Sequence, residues 1–197
     1  YRYGGVRDFL IGARFVDGNG ELVRGGGKVV KNSAGFDLPK LLVGSLGRLA
    51  VLVELTFKVF PRAQAYTTAR RDFDTLDEAL AAFTRLYTAR LDVEALDLLP
   101  GPIGATVRAR LGGLPEALPA RAERLRSALG GGEILDGEAE AAFWQGRRDF
   151  DWVPPGWTLL KIPLTPARIP GLESAFGASS ALRQYSSGGN LGYLADP

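Results

Sequence analysis

The chain of 197 residues contains no cysteine, no histidine and no methionine. The missing cysteine excludes disulfides, iron–sulfur ligation and thiol nucleophiles contributed by this chain, and leaves its redox compartment open. The missing histidine removes the commonest general base and the commonest transition-metal ligand. Acid–base chemistry carried here has only carboxylates, Lys, Arg and Tyr to use, and neither a catalytic residue nor a metal site is assigned from the sequence. The lack of methionine, with few Asn and Gln, fits a thermophilic origin and a GC-biased coding sequence equally well. No run of about 18 apolar residues is present, so no transmembrane segment is predicted. Charge of one sign is also lacking: 24 Lys and Arg stand against 22 Asp and Glu, a net of +2. The basic residues are interspersed among the acidic ones, which predicts no nucleic-acid partner. The chain opens on Tyr1 rather than Met, so no targeting signal is read from its start.

What is present is a globular composition, 46% hydrophobic and 23% charged, with 26 glycines. Asp17-Gly18-Asn19-Gly20 predicts a two-residue hairpin between strands Ala13–Val16 and Glu21–Arg24. Asp37-Leu38-Pro39 predicts a short helix, capped by Asp37 and running through Leu42 to a stop at Gly44. Leu49–Phe60 is apolar and β-branched and reads as a central strand buried on both faces. Beyond Pro61-Arg62-Ala63 the texture changes to alternating strands and helices. Thr75–Leu91 predicts a capped amphipathic helix with Leu76, Ala79, Leu80, Phe83, Leu86 and Tyr87 on one face. Strands are predicted in YTTARRDF, VEALDLL, ATVRARL, EILDG and GWTLLKIPLTP. Further helices are predicted up to Gly130, through Glu138–Phe150 and over Pro166–Ala175, and a terminal hairpin closes the chain. This order follows a split β-α-β, ferredoxin-like pattern. The fold class is therefore α+β, with domains at 1–62 and 63–197.

Three clusters invite a functional reading. Gly25-Gly26-Gly27 with Lys28 and Lys31 reads either as an anion cradle or as a tight turn between strands. Gly44-Ser45-Leu46-Gly47 reads either as a close approach to a flat ligand or as a helix C-cap and strand entry. Arg147-Arg148-Asp149 beside Trp144 and Trp152 reads either as a partner surface or as an exposed helix end with apolar anchors.

Two stretches, GGKVVKNSAGFDLPKLLVGS (residues 26–45) and GSLGRLAVLVE (residues 44–54), resemble the type-4 FAD-linked oxidases of the vanillyl-alcohol-oxidase, or PCMH-type, fold. Within that family the resemblance is to the FAD-binding subunits of multi-subunit glycolate oxidases, and it covers residues 4–61 strongly. It implies a partial PCMH-type FAD-binding domain, its second half, over residues 1–62, followed by a ferredoxin-like cap. It places FAD contacts at Leu46, Gly47, Arg48, Leu49, Ala50, Val51 and Leu52, with Gly44 and Ser45 shaping the approach. Lys28, Lys31, Asn32 and Asp37 match the family pattern as structural residues. Arg48 stands where the family usually has threonine, Ala50 where it has glycine and Phe36 where it has tyrosine.

The resemblance further implies membership of a complex that oxidises glycolate to glyoxylate. A sister flavoprotein subunit bears the catalytic histidines, and an iron–sulfur subunit accepts the electrons. This chain then acts as an accessory or electron-relay flavoprotein, cytoplasmic or held at the inner membrane through its partners. Two alternatives are a flavin-free interaction subunit that keeps the fold, and a stand-alone D-lactate-type dehydrogenase, against which the zero histidine count argues. The resemblance leaves the pyrophosphate-binding half of the family's domain unaccounted for ahead of Tyr1, expected either to have been cut or lost from this chain or never to have belonged to this version. The expectation is that FAD needs a neighbouring chain, and that an apolar face around Gly25–Lys31 and Gly44–Ala50 is covered by a second copy or a sister subunit.

Overall fold

The structure, a computed structural model, describes residues 2–29, 35–177 and 179–197. They form two units, Tyr3–Arg62 and Ala63–Pro197, the latter with Arg2.

In the first unit a short helix α1 (Val6–Phe9) leads into β1 (Leu10–Val16), which pairs antiparallel with β2 (Leu22–Gly26). The connection is longer than the predicted two residues. Asp17 Oδ1 accepts from the N–H groups of Asn19 and Glu21, both at 2.9 Å, and this Asx-type bonding organises a loop of residues 17–21. Gly25 and Gly26 close β2, and Gly27 lies just beyond its end. Gly26 has φ +66, and a Cβ there would lie 2.2 Å from the Ile11 carbonyl oxygen. At Gly25 a Cβ would meet Leu38 Cβ at 3.0 Å, so glycine lets β2 press against β1 and against helix α2 (Leu38–Leu42). Asp37 caps α2 by accepting from Lys40 N–H at 3.2 Å, with Pro39 in the first turn as its fixed φ favours. Lys31 and Asn32 lie outside the described residues.

β3 (Val51–Phe57) corrects the expectation of a central buried strand. It is an edge strand in the order β2-β1-β3, and Val51 and Val53 are 68% and 58% exposed. Its apolar character fits two covered faces, but among the described residues only β1 lies beside it. The core of this unit is small: Ala13, Phe15 and Leu42, with Val23, Leu38 and Ala50 packed around them.

The second unit contains β4 (Ala65–Phe73), α3 (Leu76–Thr88), β5 (Ala95–Pro100), β6 (Ala105–Gly113), α4 (Leu118–Leu129) and β7 (Glu133–Asp136). Their spatial order β7-β4-β6-β5, antiparallel throughout, is the split β-α-β arrangement. Helix α5 (Gly137–Arg148), β8 (Thr158–Pro163), α6 (Ile169–Phe176), β9 (Leu182–Ser186) and β10 (Leu191–Asp196) follow. They extend the sheet to β7-β4-β6-β5-β9-β10-β8. Thr75 caps α3 through Glu78 N–H, and Gly130 at φ +85 ends α4.

Period-two alternation divides this sheet into two faces. Ala69, Leu96, Leu98, Val107, Ala109, Leu111 and Tyr185 pack against α3 and α4 in a closed apolar core. The other face carries Thr68 and Arg70 on β4, Arg108 and Arg110 on β6, and Asp97 on β5. Their cross-strand registers, Arg70↔Arg108, Thr68↔Arg110 and Asp97↔Arg108, place them side by side.

Candidate functional site

The nine residues that the resemblance assigns to the flavin are contiguous. Gly44–Ala50 form the connection from α2 to β3, and Val51 and Leu52 open β3. The connection is folded tightly. Ser45 N–H donates to Leu42 O at 3.2 Å, and Arg48 N–H donates to Ser45 O at 3.0 Å. The two residues inside that turn, Leu46 and Gly47, have φ of +53 and +75, and Gly44 has +81. Leucine in the left-handed region costs about 1–2 kcal/mol, and its side chain is 87% exposed, so the turn holds strain without burial in return. A Cβ on Gly44 or Gly47 would meet nothing within 4 Å. Leu49, Val51 and Leu52 are exposed too, whereas Ala50 turns its methyl into the small core beside Phe15 and Leu42. The alanine that replaces a family glycine therefore packs inward.

A second constellation, which the sequence reading missed, lies on the polar face of the sheet in the second unit. Helix α5 covers this face with Glu140, Phe143, Trp144 and Arg147, residues at i, i+3, i+4 and i+7. Glu140, 2% exposed, accepts two bonds from Arg110, at 2.7 and 3.0 Å, and one from Thr68 Oγ1 at 3.0 Å. Trp144 Nε1 donates to Thr68 Oγ1 at 2.8 Å, and the Arg110 guanidinium lies 3.9 Å from the Tyr66 ring centroid. This buried charge pair is fully partnered.

Its neighbours are not. A cavity of about 450 Å³ opens beside the pair, lined among others by Asp97, Arg147, Gln184, Ser186, Ser187 and Tyr193. Asp97 is 4% exposed, and burial pushes its carboxyl up to about 6 against the opposing pull of the Ser186 hydroxyl, Arg147 and Arg108. Gln184 Nε2 donates to Asp97 Oδ2 at 3.0 Å and to Ser186 Oγ at 2.7 Å, leaving Gln184 Oε1 buried and unpartnered. The Nε atoms of Arg147 and Arg108 are also buried without an acceptor among the described residues. Arg108 stacks 4.0 Å over Phe143, and Arg147 lies 5.3 Å from the Trp152 ring. Desolvation, with Arg70 and Arg147 close by, lowers Arg108 to about 10, still cationic at neutral pH. Burial also raises the Tyr193 phenol, with Asp97 adding to the effect. Ser187 and Phe150, both on the cavity wall, have φ of +54 and +60.

The signal for this site was present in the sequence. Thr106, Arg108 and Arg110 alternate with apolar residues along β6, and Glu140, Phe143, Trp144 and Arg147 share one helical stripe. Arg147-Arg148-Asp149 is the end of α5, as one of the two readings has it: Arg148 and Asp149 are exposed, with Trp144 and Trp152 partly buried beside them, while Arg147 itself is half-buried against the Trp152 ring.

No protein-family model matches the chain. Among curated proteins it is 35% identical over 146 residues to the glycolate oxidase subunit GlcE of Escherichia coli, which covers 74% of this chain and 38% of that protein. It is 34% identical over 101 residues to the glycolate oxidase subunit GlcD of Bacillus subtilis, covering 51% of this chain and 22% of that protein. The chain thus spans well under half the length of these relatives. Among solved structures it overlays p-cresol methylhydroxylase with substrate bound at a TM-score of 0.68 and 12% identity, over 98% of this chain and 52% of that one. It overlays glucooligosaccharide oxidase from Acremonium strictum, with its 6-S-cysteinyl, 8α-N1-histidyl FAD, at 0.57 and 14%, over 96% and 49%. The α+β architecture is that of the PCMH-type oxidases.

Proposed function

We propose a function on the premise that this chain is a relative of the glycolate oxidase subunits and has the fold of FAD-linked oxidases. It is a subunit of a glycolate oxidase complex, working beside a sister catalytic flavoprotein and an iron–sulfur subunit, in the cytoplasm or at the inner membrane through those partners. The observation that carries this reading is the 35% identity to one such subunit across 74% of the chain. No helix of the described residues is long and apolar enough to cross a membrane.

Residues 1–62 then form the second half of a PCMH-type FAD-binding domain, and residues 63–197 its α+β cap. Gly44–Leu52 suit a flat, largely apolar group. Three residues there have positive φ, glycines leave open space, and Leu46, Leu49, Val51 and Leu52 present apolar surface. FAD bound there supplies a two-electron acceptor for the oxidation of a 2-hydroxy acid. This chain's own part is to hold and orient the ring edge and to exclude water from it. Without histidine or cysteine it brings no usual proton acceptor, and the sister subunit performs the proton abstraction.

A flavin-free scaffold is the second reading, favoured by the exposed apolar edge of β3. Purification with the sister subunits, followed by an absorbance spectrum and glycolate-dependent dye reduction, separates the two. In the favoured reading Gly47→Val lowers the flavin content carried by this subunit. Complexes assembled without the chain lose turnover. Full turnover in its absence overturns the subunit assignment, and unchanged flavin content overturns the assignment of Gly44–Leu52.

A further inference from the structure

Between α3 and β5 the loop residues Arg90, Leu91 and Asp92 meet Arg121 and Arg124 of α4 around a cleft of about 110 Å³. It belongs to the side of the sheet that α3 and α4 cover. Positions 121 and 124 are neighbours on the surface of α4, so the helix presents both guanidinium groups together. The end of β6 builds the seat of Arg121. Its Nη1 donates to the Gly112 carbonyl at 2.9 Å, and a Cβ on Gly113 would lie 2.8 Å from the same nitrogen. Glycine at 113 is therefore what leaves room for that guanidinium. Leu91 packs against the main core and fixes the loop between Arg90 and Asp92. Asp92 holds φ at +50, a left-handed conformation that a residue other than glycine adopts at a cost.

Charge selects the occupant. Arg90 and Arg124 are exposed and, like Arg121, have no ion-pair partner among the described residues. Glu123, the carboxylate beside them on α4, is taken by Arg126 at 2.7 and 2.9 Å. The lining thus sets three guanidinium groups against the one carboxylate of Asp92. Like charges gathered so closely repel, and a dianion relieves the excess. A guanidinium fork matches the oxygens of a phosphoryl group two at a time. The cleft is well below the roughly 300 Å³ at which pockets begin to enclose a whole small molecule, so it takes one such group and leaves the rest of the ligand outside. We propose that this cleft binds the phosphoryl group of a small soluble phosphate ester, with Arg90, Arg121 and Arg124 as its charge partners. The site is built from the second unit's own residues and does not rest on the glycolate oxidase reading.

Calorimetric titration of the full chain at low salt, where exposed charges are least screened, tests this with phenyl phosphate, inorganic phosphate, acetate and phosphatidylglycerol vesicles. Saturable binding of phenyl phosphate is expected, with inorganic phosphate competing for the same site and acetate bound far more weakly. Arg90→Gln and Arg124→Gln each weaken ester binding about tenfold and, both side chains being exposed, leave the melting temperature unchanged. Gly113→Ala pushes the Arg121 fork off its seat and weakens binding several-fold. Arg168→Gln, outside the cleft, leaves it intact. Absence of saturable ester binding overturns the site. So does binding that the folded double variant at Arg90 and Arg124 retains, or acetate bound as tightly as the phosphates. Binding confined to the vesicles also overturns it, and assigns the three arginines to a membrane surface instead.

Discussion

Asp97 is the residue whose chemistry is furthest from its ordinary behaviour. Its carboxyl has a reference value of 3.8 and sits at about 6 in the fold, chiefly through desolvation. A folded-state value above the unfolded one means that the native state holds the proton longer. Stability is then fully present below about 4 and is lost as pH rises through about 6, by about 3 kcal/mol for a shift of this size. Asp97→Asn keeps an oxygen for the Gln184 amide and removes the charge. Urea titrations from pH 4 to 8 are expected to show a sloping stability for the native chain and a flat one for the variant, which is the more stable of the two at pH 7.5. Parallel slopes would mean that Asp97 is solvated in the folded chain. Gly104 is a second residue-scale test. It has φ +65, and a Cβ would lie 1.8 Å from the Phe73 carbonyl oxygen. Neither backbone strand gives way easily, so Gly104→Ala is expected to cost about 3 kcal/mol or more, read as a lowered melting temperature.

At the scale of elements, α5 owes its seat to charge more than to apolar area. Its buried residue is Glu140, held by Arg110 and Thr68 across the sheet. Removing one partner of a buried ion pair leaves the other charge stranded, at a cost of about 3–5 kcal/mol. Glu140→Ala is therefore expected to destabilise the second unit by that amount and to increase hydrogen exchange in α5 first. A loss below 1 kcal/mol would show that water reaches Arg110. The helices other than α1 were legible in the sequence. Thr75 and Asp37 cap where expected, and of the four buried residues of α3, Ala79, Phe83 and Leu86 fall on the predicted stripe while Ala82 lies outside it. Tyr87, assigned to the same face, is exposed, one position beyond the edge of that stripe.

At the scale of the whole molecule, the apolar edge of β3 is the dominant surface feature. Val51, Leu52, Val53, Leu55 and Phe57 are all exposed on a strand with one neighbour among the described residues. Such a strand offers both apolar area and unpaired backbone groups. The isolated chain is expected to self-associate at micromolar concentration and to bind a hydrophobic dye, and Val51→Lys with Val53→Lys is expected to suppress both without lowering the melting temperature. Sedimentation velocity checks this. A monomeric native chain with no dye binding would mean that the edge protects itself.

The sequence by itself determined the local elements, because caps, turn residues and hydrophobic periods act within a few residues of one another. It also determined the partition into a glycine-rich β segment and an alternating α+β segment. Beyond the local hairpins and the split β-α-β pattern, only the tertiary structure decided which residues of distant segments meet. The period of two says that Arg108 and Arg110 share a face, but not that this face is roofed by α5. Asp97 meets Gln184 across 87 positions and Thr68 meets Glu140 across 72. Those pairings set the desolvation of Asp97 and leave Arg147 unmatched. Leu49–Phe60 shows the converse. Its composition carries the signature of burial, yet a strand is buried only by what packs on it, and among the described residues only one side of β3 is paired.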